Sequence, residues 1–184
     1  MLRMAGGSPG VKARVAGALY LLTFAAGVFT LTFGASPFVT NLFADLCFVV
    51  VALLFHAVFR PVSRGLSLLA MVSGLAGITI GILRLFDVDV VPINNLVLFG
   101  LFDVLIGYLI LKSTFLPRAF GLFMVVGGLG FLTYVSPALG RSLAPYNLAP
   151  GAVAAGALSL WLVVAGVNIE RWREQAVRGG NAPG

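Results

Sequence analysis

The chain alternates long apolar runs with short polar breaks. Six runs stand out, at 15–33, 42–59, 66–83, 90–111, 119–135 and 151–167. Each falls near the roughly 17–25 residues that a helix needs to cross a hydrocarbon core, where an α-helix satisfies its own backbone polar groups. The breaks carry turn formers: Gly34-Ala35-Ser36-Pro37, Arg60 to Gly65, Asp87-Val88-Asp89, Ser113 to Arg118, and Ser136 to Pro150. Short breaks make successive runs antiparallel hairpins. Pro92 sets the start of the fourth helix, predicted over 92–111. The last break, with Pro137, Pro145 and Pro150, reads as the longest loop. The first run exceeds the 7–15 apolar residues of a signal peptide and is read as a retained span.

The flanks complete a three-part organisation. Residues 1–13 read as a flexible N-terminal tail, 14–168 as a six-span membrane domain, and 169–184 as a basic tail. Within that tail, 169–178 reads as a short interfacial helix, with Trp172 at the headgroup level and arginines toward anionic lipid.

Composition narrows the class. The chain is 60% hydrophobic and only 10% charged, with a mean hydropathy of +1.06. Soluble domains carry about 25% charged residues. A soluble enzyme, a disordered chain and a secreted disulfide scaffold are not expected, the last because Cys47 is the single cysteine. The net charge of +6 sits between apolar runs and forms no stripe, so nucleic acid is not an expected partner.

Charge also sets orientation. With a cytoplasmic N-terminus, Arg3, Lys12, Arg14, Arg60, Arg64, Lys112, Arg118, Arg171, Arg173 and Arg178 lie inside, and only Arg84 and Arg141 lie outside. That asymmetry requires an even number of crossings. The expected architecture is an all-α integral membrane protein: a six-transmembrane-helix bundle, N-in/C-in, contacting membrane lipids.

A weak internal repeat runs through the middle. Asp45 and Asp103 each precede an arginine by fifteen residues, Arg60 and Arg118. A proline adjoins each arginine, Pro61 and Pro117, and glycines follow at Gly65 and Gly74, and at Gly121 and Gly130. This fits a tandem duplication of a helical hairpin, a device known in transporters, or a coincidence in a Gly- and Leu-rich chain.

Several segments resemble a bacterial membrane-protein family, "domain of unknown function 4386". They are Arg14-Val-Ala-Gly17-Ala-Leu-Tyr20-Leu-Leu; Phe99-Gly-Leu with Gly107-Tyr108-Leu and Phe115-Leu-Pro117-Arg118-x-x-Gly121; and Leu160-Trp161-Leu-Val-Val-Ala-Gly166-Val-Asn168. The resemblance implies a six-helix fold in a bacterial cytoplasmic membrane and no known activity. The family often has a histidine where this chain has Phe102, and a glutamate where it has Ala155. No functional residue is therefore carried over.

Polar residues inside the runs are the candidate chemistry. A charged group at a helix centre costs at least roughly 2.5–3.5 kcal/mol on insertion scales. Asp103 is the deepest, readable as a cation, proton or ligand site, or as an aspartate tying helices together. Asp45 and Arg84 lie at similar depth in one hairpin and are expected to pair, unless Arg84 reaches outward to Asp87 or Asp89. His56 could ligate a pigment or haem axially, or pack as a hydrogen-bonded core histidine. Asn94 and Asn95 cap the fourth helix and Asn168 closes the sixth. Tyr20, Tyr108 and Tyr134 suit packing or a cavity wall. No metal site and no cofactor is predicted, with pigment or haem left open.

Small residues form two stripes, Ser73, Gly77 and Gly81 in the third span and Gly151, Ala155 and Ser159 in the sixth. Such stripes let helix backbones approach, within the bundle or across an oligomer seam. Lacking a catalytic constellation, the chain reads as a non-catalytic structural or accessory subunit of a larger membrane complex, respiratory or photosynthetic, with a protein partner or second copy in the membrane. The alternative is a small transporter or ligand-binding protein using Asp103.

Overall fold

A computed structural model describes residues 8–33, 36–88 and 93–178, with side chains for all of these except 27–33. The described residues are helical throughout their ordered elements and contain no strand. The helices are α1 (Pro9–Phe33), α2 (Pro37–Phe59), α3 (Arg64–Leu85), α4 (Asn95–Lys112), α5 (Arg118–Leu132), α6 (Pro137–Leu143), α7 (Ala149–Val164) and α8 (Ile169–Arg178); a 3₁₀ turn, Thr133–Val135, extends α5.

Among the described residues, four stretches are long and apolar enough to cross a membrane: α2, α3, α4, and α5 with its 3₁₀ turn. A fifth is counted if α7 and α8, bent by 105°, form one span. The expected count was six. The expected spans outside this count are α1, for which side chains are described only up to residue 26, and α7, which stops after 16 residues. Gly166 adopts φ 67°, a left-handed conformation that glycine alone enters without strain, and the Ala165 and Gly166 amides both close onto the Trp161 carbonyl.

Local sequence explains most boundaries. Ser63 caps α3 by accepting from the Leu66 amide, and Asn94 caps α4 by accepting from the Leu96 amide at 3.0 Å. Residue 92, the expected start of the fourth helix, lies outside the described residues, and α4 begins at Asn95. The first helix starts earlier than expected. Ser8 caps it through the Val11 amide and Pro9 occupies its first turn, so residues 9–13 are helical and Ala13 is buried. The long break 136–150 holds α6 and a cis Ala144–Pro145 bond.

Packing order could not be read from the runs, and it is simple. Each long helix packs on its sequence neighbour from α1 to α5, α7 packs on α5, and α7 returns to α1. The six form a closed ring. Its axis is aromatic: Phe48 meets Phe102 at 5.1 Å, Phe55 stacks on Phe102 at 6.2 Å, and Phe59 meets Phe115 at 5.9 Å. The outer surface is apolar at helical spacing, most plainly Val39, Phe43, Leu46, Val50 and Leu53 on α2. Exposed apolar stripes of this extent belong in lipid.

Candidate functional site

One cavity, about 220 Å³, lies among α1, α2, α4 and α5, nearer the end where α2 and α4 begin. Its polar wall is Tyr20 and Thr23 from α1, Asp45 from α2 and Asp103 from α4. Its apolar wall includes Phe24, Phe48, Phe99 and Phe131. Helical spacing accounts for each contribution. Tyr20, Thr23 and Phe24 share one face of α1, as Asp45 and Phe48 do on α2, and Leu96, Phe99 and Asp103 on α4.

Asp103 lies midway along α4 and is only 2% exposed. Tyr20, only 4% exposed, is the neighbouring polar group from α1, and its side chain and the Asp103 carboxyl line the same cavity. Thr23 donates its hydroxyl proton to the Tyr20 carbonyl at 2.6 Å. The tyrosine is held by rings on three sides: Phe24 at 5.4 Å, Phe48 at 5.5 Å and Phe55 at 5.9 Å. Such packing holds the hydroxyl before any ligand arrives.

Asp45 occupies the shallower, half-buried part of the wall. A methyl group placed on Gly81 would meet Asn95 Nδ2 at 3.3 Å and Asp45 Oδ2 at 3.8 Å. Gly81 therefore leaves room for both polar groups over the α3 backbone.

Arg84 does not join this site. The expected Asp45–Arg84 ion pair is absent, and the Arg84 guanidinium donates to the Ile93 carbonyl at 2.9 Å. The physical reason is placement: Arg84 stands in the last turn of α3, where the loop carbonyl is nearer than a carboxyl facing the ring interior. Asp89, its other expected partner, lies outside the described residues.

The remaining candidates sit elsewhere. His56 Nδ1 is hydrogen-bonded to Ser67 Oγ at 3.1 Å, and Ser67 gives its one proton to the Arg64 carbonyl at 3.0 Å. The His56–Ser67 contact ties α2 to α3. Asn168 does not close the sixth span; its Oδ1 accepts from the Arg171 amide at 3.1 Å and caps α8. Trp172 donates to the Val58 carbonyl at 2.8 Å, so its indole binds the bundle. Tyr108 is exposed beneath Lys112, and Tyr134 packs on Gly140.

The small-residue stripes face inward. A Cβ on Gly77 would meet Leu98, Phe99 and the Asn95 carbonyl of α4, Ser73 is buried, and Gly81 lies over Asp45 and Asn95. On α7, Gly151 faces Phe131, while Ala155 and Ser159 are buried, with the Ser159 carbonyl beside Gly17 of α1. A further close seam, between α4 and α5, lies outside the two stripes. A Cβ on Gly107 would stand 2.7 Å from the Gly121 carbonyl and one on Gly121 2.7 Å from the Gly107 carbonyl; Gly100 and Gly128 repeat the reciprocal contact at 2.8 and 2.6 Å.

Among the described residues no three His, Cys, Asp or Glu side chains gather as a metal site. The repeat is only partly mirrored: Asp45 and Asp103 reach the same cavity, but Gly65 faces open space where Gly121 is tightly packed. The positions where the resembled family often carries His and Glu, Phe102 and Ala155, are both core residues here.

Residues 91–166 match the model of a family described as Domain of unknown function (DUF4386), which supports the resemblance carried by the motifs. The match takes in Asp103, Phe99 and Phe131; Tyr20, Thr23 and Asp45 precede it. No curated protein and no solved structure matches the chain.

Proposed function

We propose that this chain is a small membrane-embedded ligand-binding protein or transporter, with the Asp103 cavity as its site. One observation carries the reading: Tyr20, Thr23, Asp45 and Asp103, from three helices, converge on a single aromatic-walled cavity. Concave, mostly apolar pockets with a few converging polar groups are the usual form of a small-molecule site. An aspartate held inside a membrane domain at a cost of a few kcal/mol is ordinarily retained for function.

The same reading places the chain in a bacterial cytoplasmic membrane with six crossings and both termini inside. Its support is the basic end of the ring. Helix α8 binds the Val58 end of α2 and the 112–114 turn, which collects Arg60, Arg64, Lys112, Arg118 and Arg171 on one side. The cavity lies nearer the other side.

An accessory-subunit role has less support than it had on the sequence. The small-residue stripes that suggested an oligomer seam are occupied within the ring.

The test is co-purification. The wild type and Asp103→Asn are extracted from native membranes in mild detergent, and bound species are identified by mass spectrometry. A small molecule present near one per chain in the wild type and depleted about tenfold or more in the variant is expected, since a lost charge-assisted hydrogen bond has that scale. A stoichiometric protein partner with no small molecule would restore the accessory reading.

A further inference from the structure

We infer that the cavity takes a small organic ammonium ion, a protonated amine on a compact aromatic or aliphatic body. This rests on the cavity being the binding site, and it adds the chemical class of the occupant.

The hydrogen-bond directions argue for a cation. The Thr23 hydroxyl spends its single proton on the Tyr20 carbonyl. The Tyr20 hydroxyl, beside Asp103, is the one donor left on the polar wall. The rest of that wall presents acceptors: the carboxyl oxygens of Asp45 and Asp103 and the lone pairs of Thr23. An ammonium group brings three donors and no acceptor. Among the described residues no Lys, Arg or His lines the cavity beside its two acids.

The remaining wall selects among cations. A hard metal ion such as calcium takes roughly 6–8 oxygen ligands, and most of this surface is apolar. Phenylalanine faces, by contrast, attract an organic cation within about 6 Å of the ring centroid. They also bury its apolar body. The volume of about 220 Å³ lies below the roughly 300–1,000 Å³ of drug-sized pockets. It suits one ring with a short amine arm.

Calorimetric titration of the purified full chain in detergent tests this. The probes are cyclohexylamine and 2-phenylethylamine, with 2-phenylethanol, phenylacetate and sodium as neutral, anionic and inorganic counterparts. One saturable site for an amine is expected, with the counterparts at least about tenfold weaker. Asp103→Asn and Asp45→Asn should each weaken amine binding about tenfold or more, while Asp87→Asn leaves it unchanged. Asp45 is half-buried, so its variant serves if Asp103→Asn fails to fold. The alcohol, the acid or sodium binding as tightly as the amines would overturn the ammonium class and keep the cavity as a site. No saturable binding by any amine would also overturn it. The wider reading would then stand or fall on whether Asp103→Asn still loses a co-purifying molecule.

Discussion

At the residue scale, the molecule depends on where a side chain is missing as much as on where one is present. Gly107 and Gly121 bring α4 and α5 so close that either Cβ would fall 2.7 Å from the opposing carbonyl. The partner is backbone and cannot step aside. Gly107→Ala should therefore destabilise the fold by about 1–3 kcal/mol, the usual cost of overpacking. Gly156, in the middle of α7, has nothing within 4 Å of its would-be Cβ. Gly156→Ala should be neutral or stabilising by up to about 1 kcal/mol, because alanine is the better helix former. Thermal unfolding of the two variants in one detergent reads the contrast, and equal shifts would refute the seam. The seam and the cavity share α4: Gly100 and Gly107 face α5, while Phe99 and Asp103 face the cavity. Close packing on one side fixes the polar group on the other.

At the element scale, α8 decides how the basic end is built. It is amphipathic and charged, with buried Ala176 and half-buried Trp172 and Gln175 facing the bundle. The Trp172 indole donates to the Val58 carbonyl, and Gln175 joins the Thr114 amide and the Lys112 carbonyl. These are the free backbone groups where α2 and α4 end, groups that need a partner. Trp172→Phe keeps the ring and removes the donor. It should cost about 1 kcal/mol and expose α8 to limited proteolysis faster than the wild type, with the ring intact. An unchanged cleavage rate would mean that the indole hydrogen bond does not hold α8. The sequence showed α8 as a helix by its spacing. It could not show that Trp172 turns inward, because the acceptor is 114 residues away.

At the scale of the whole molecule, the closed ring of α1 to α5 and α7 separates two chemistries. Arg60, Arg64, Lys112, Arg118 and Arg171 gather where α8 docks, and Asp45 and Asp103 line the cavity nearer the other end. The proposed orientation predicts a labelling pattern. In a Cys47→Ser background, Ser142→Cys should react with a membrane-impermeant maleimide on intact cells. Ser8→Cys and Arg178→Cys should react only after permeabilisation. An odd number of crossings would place 8 and 178 on opposite sides.

The sequence by itself determined the class, the helices and the cost of Asp103. Apolar run length and scarce charge are one-dimensional quantities, and a helix in lipid is the single local answer to unpaired backbone groups. It also placed Asp45 and Asp103 at comparable registers in successive descending helices. Only the tertiary structure decided that Tyr20 and Thr23 join them, that Arg84 turns to Ile93, and that the small-residue stripes face inward. Those outcomes depend on the azimuth of each helix in the ring. In this chain apolar residues cover every face, so periodicity alone does not say which face turns inward. Close backbone contact at Gly100, Gly107, Gly121 and Gly128 sets the azimuth of α4 and α5, and α7 closing onto α1 at Gly17 sets the rest.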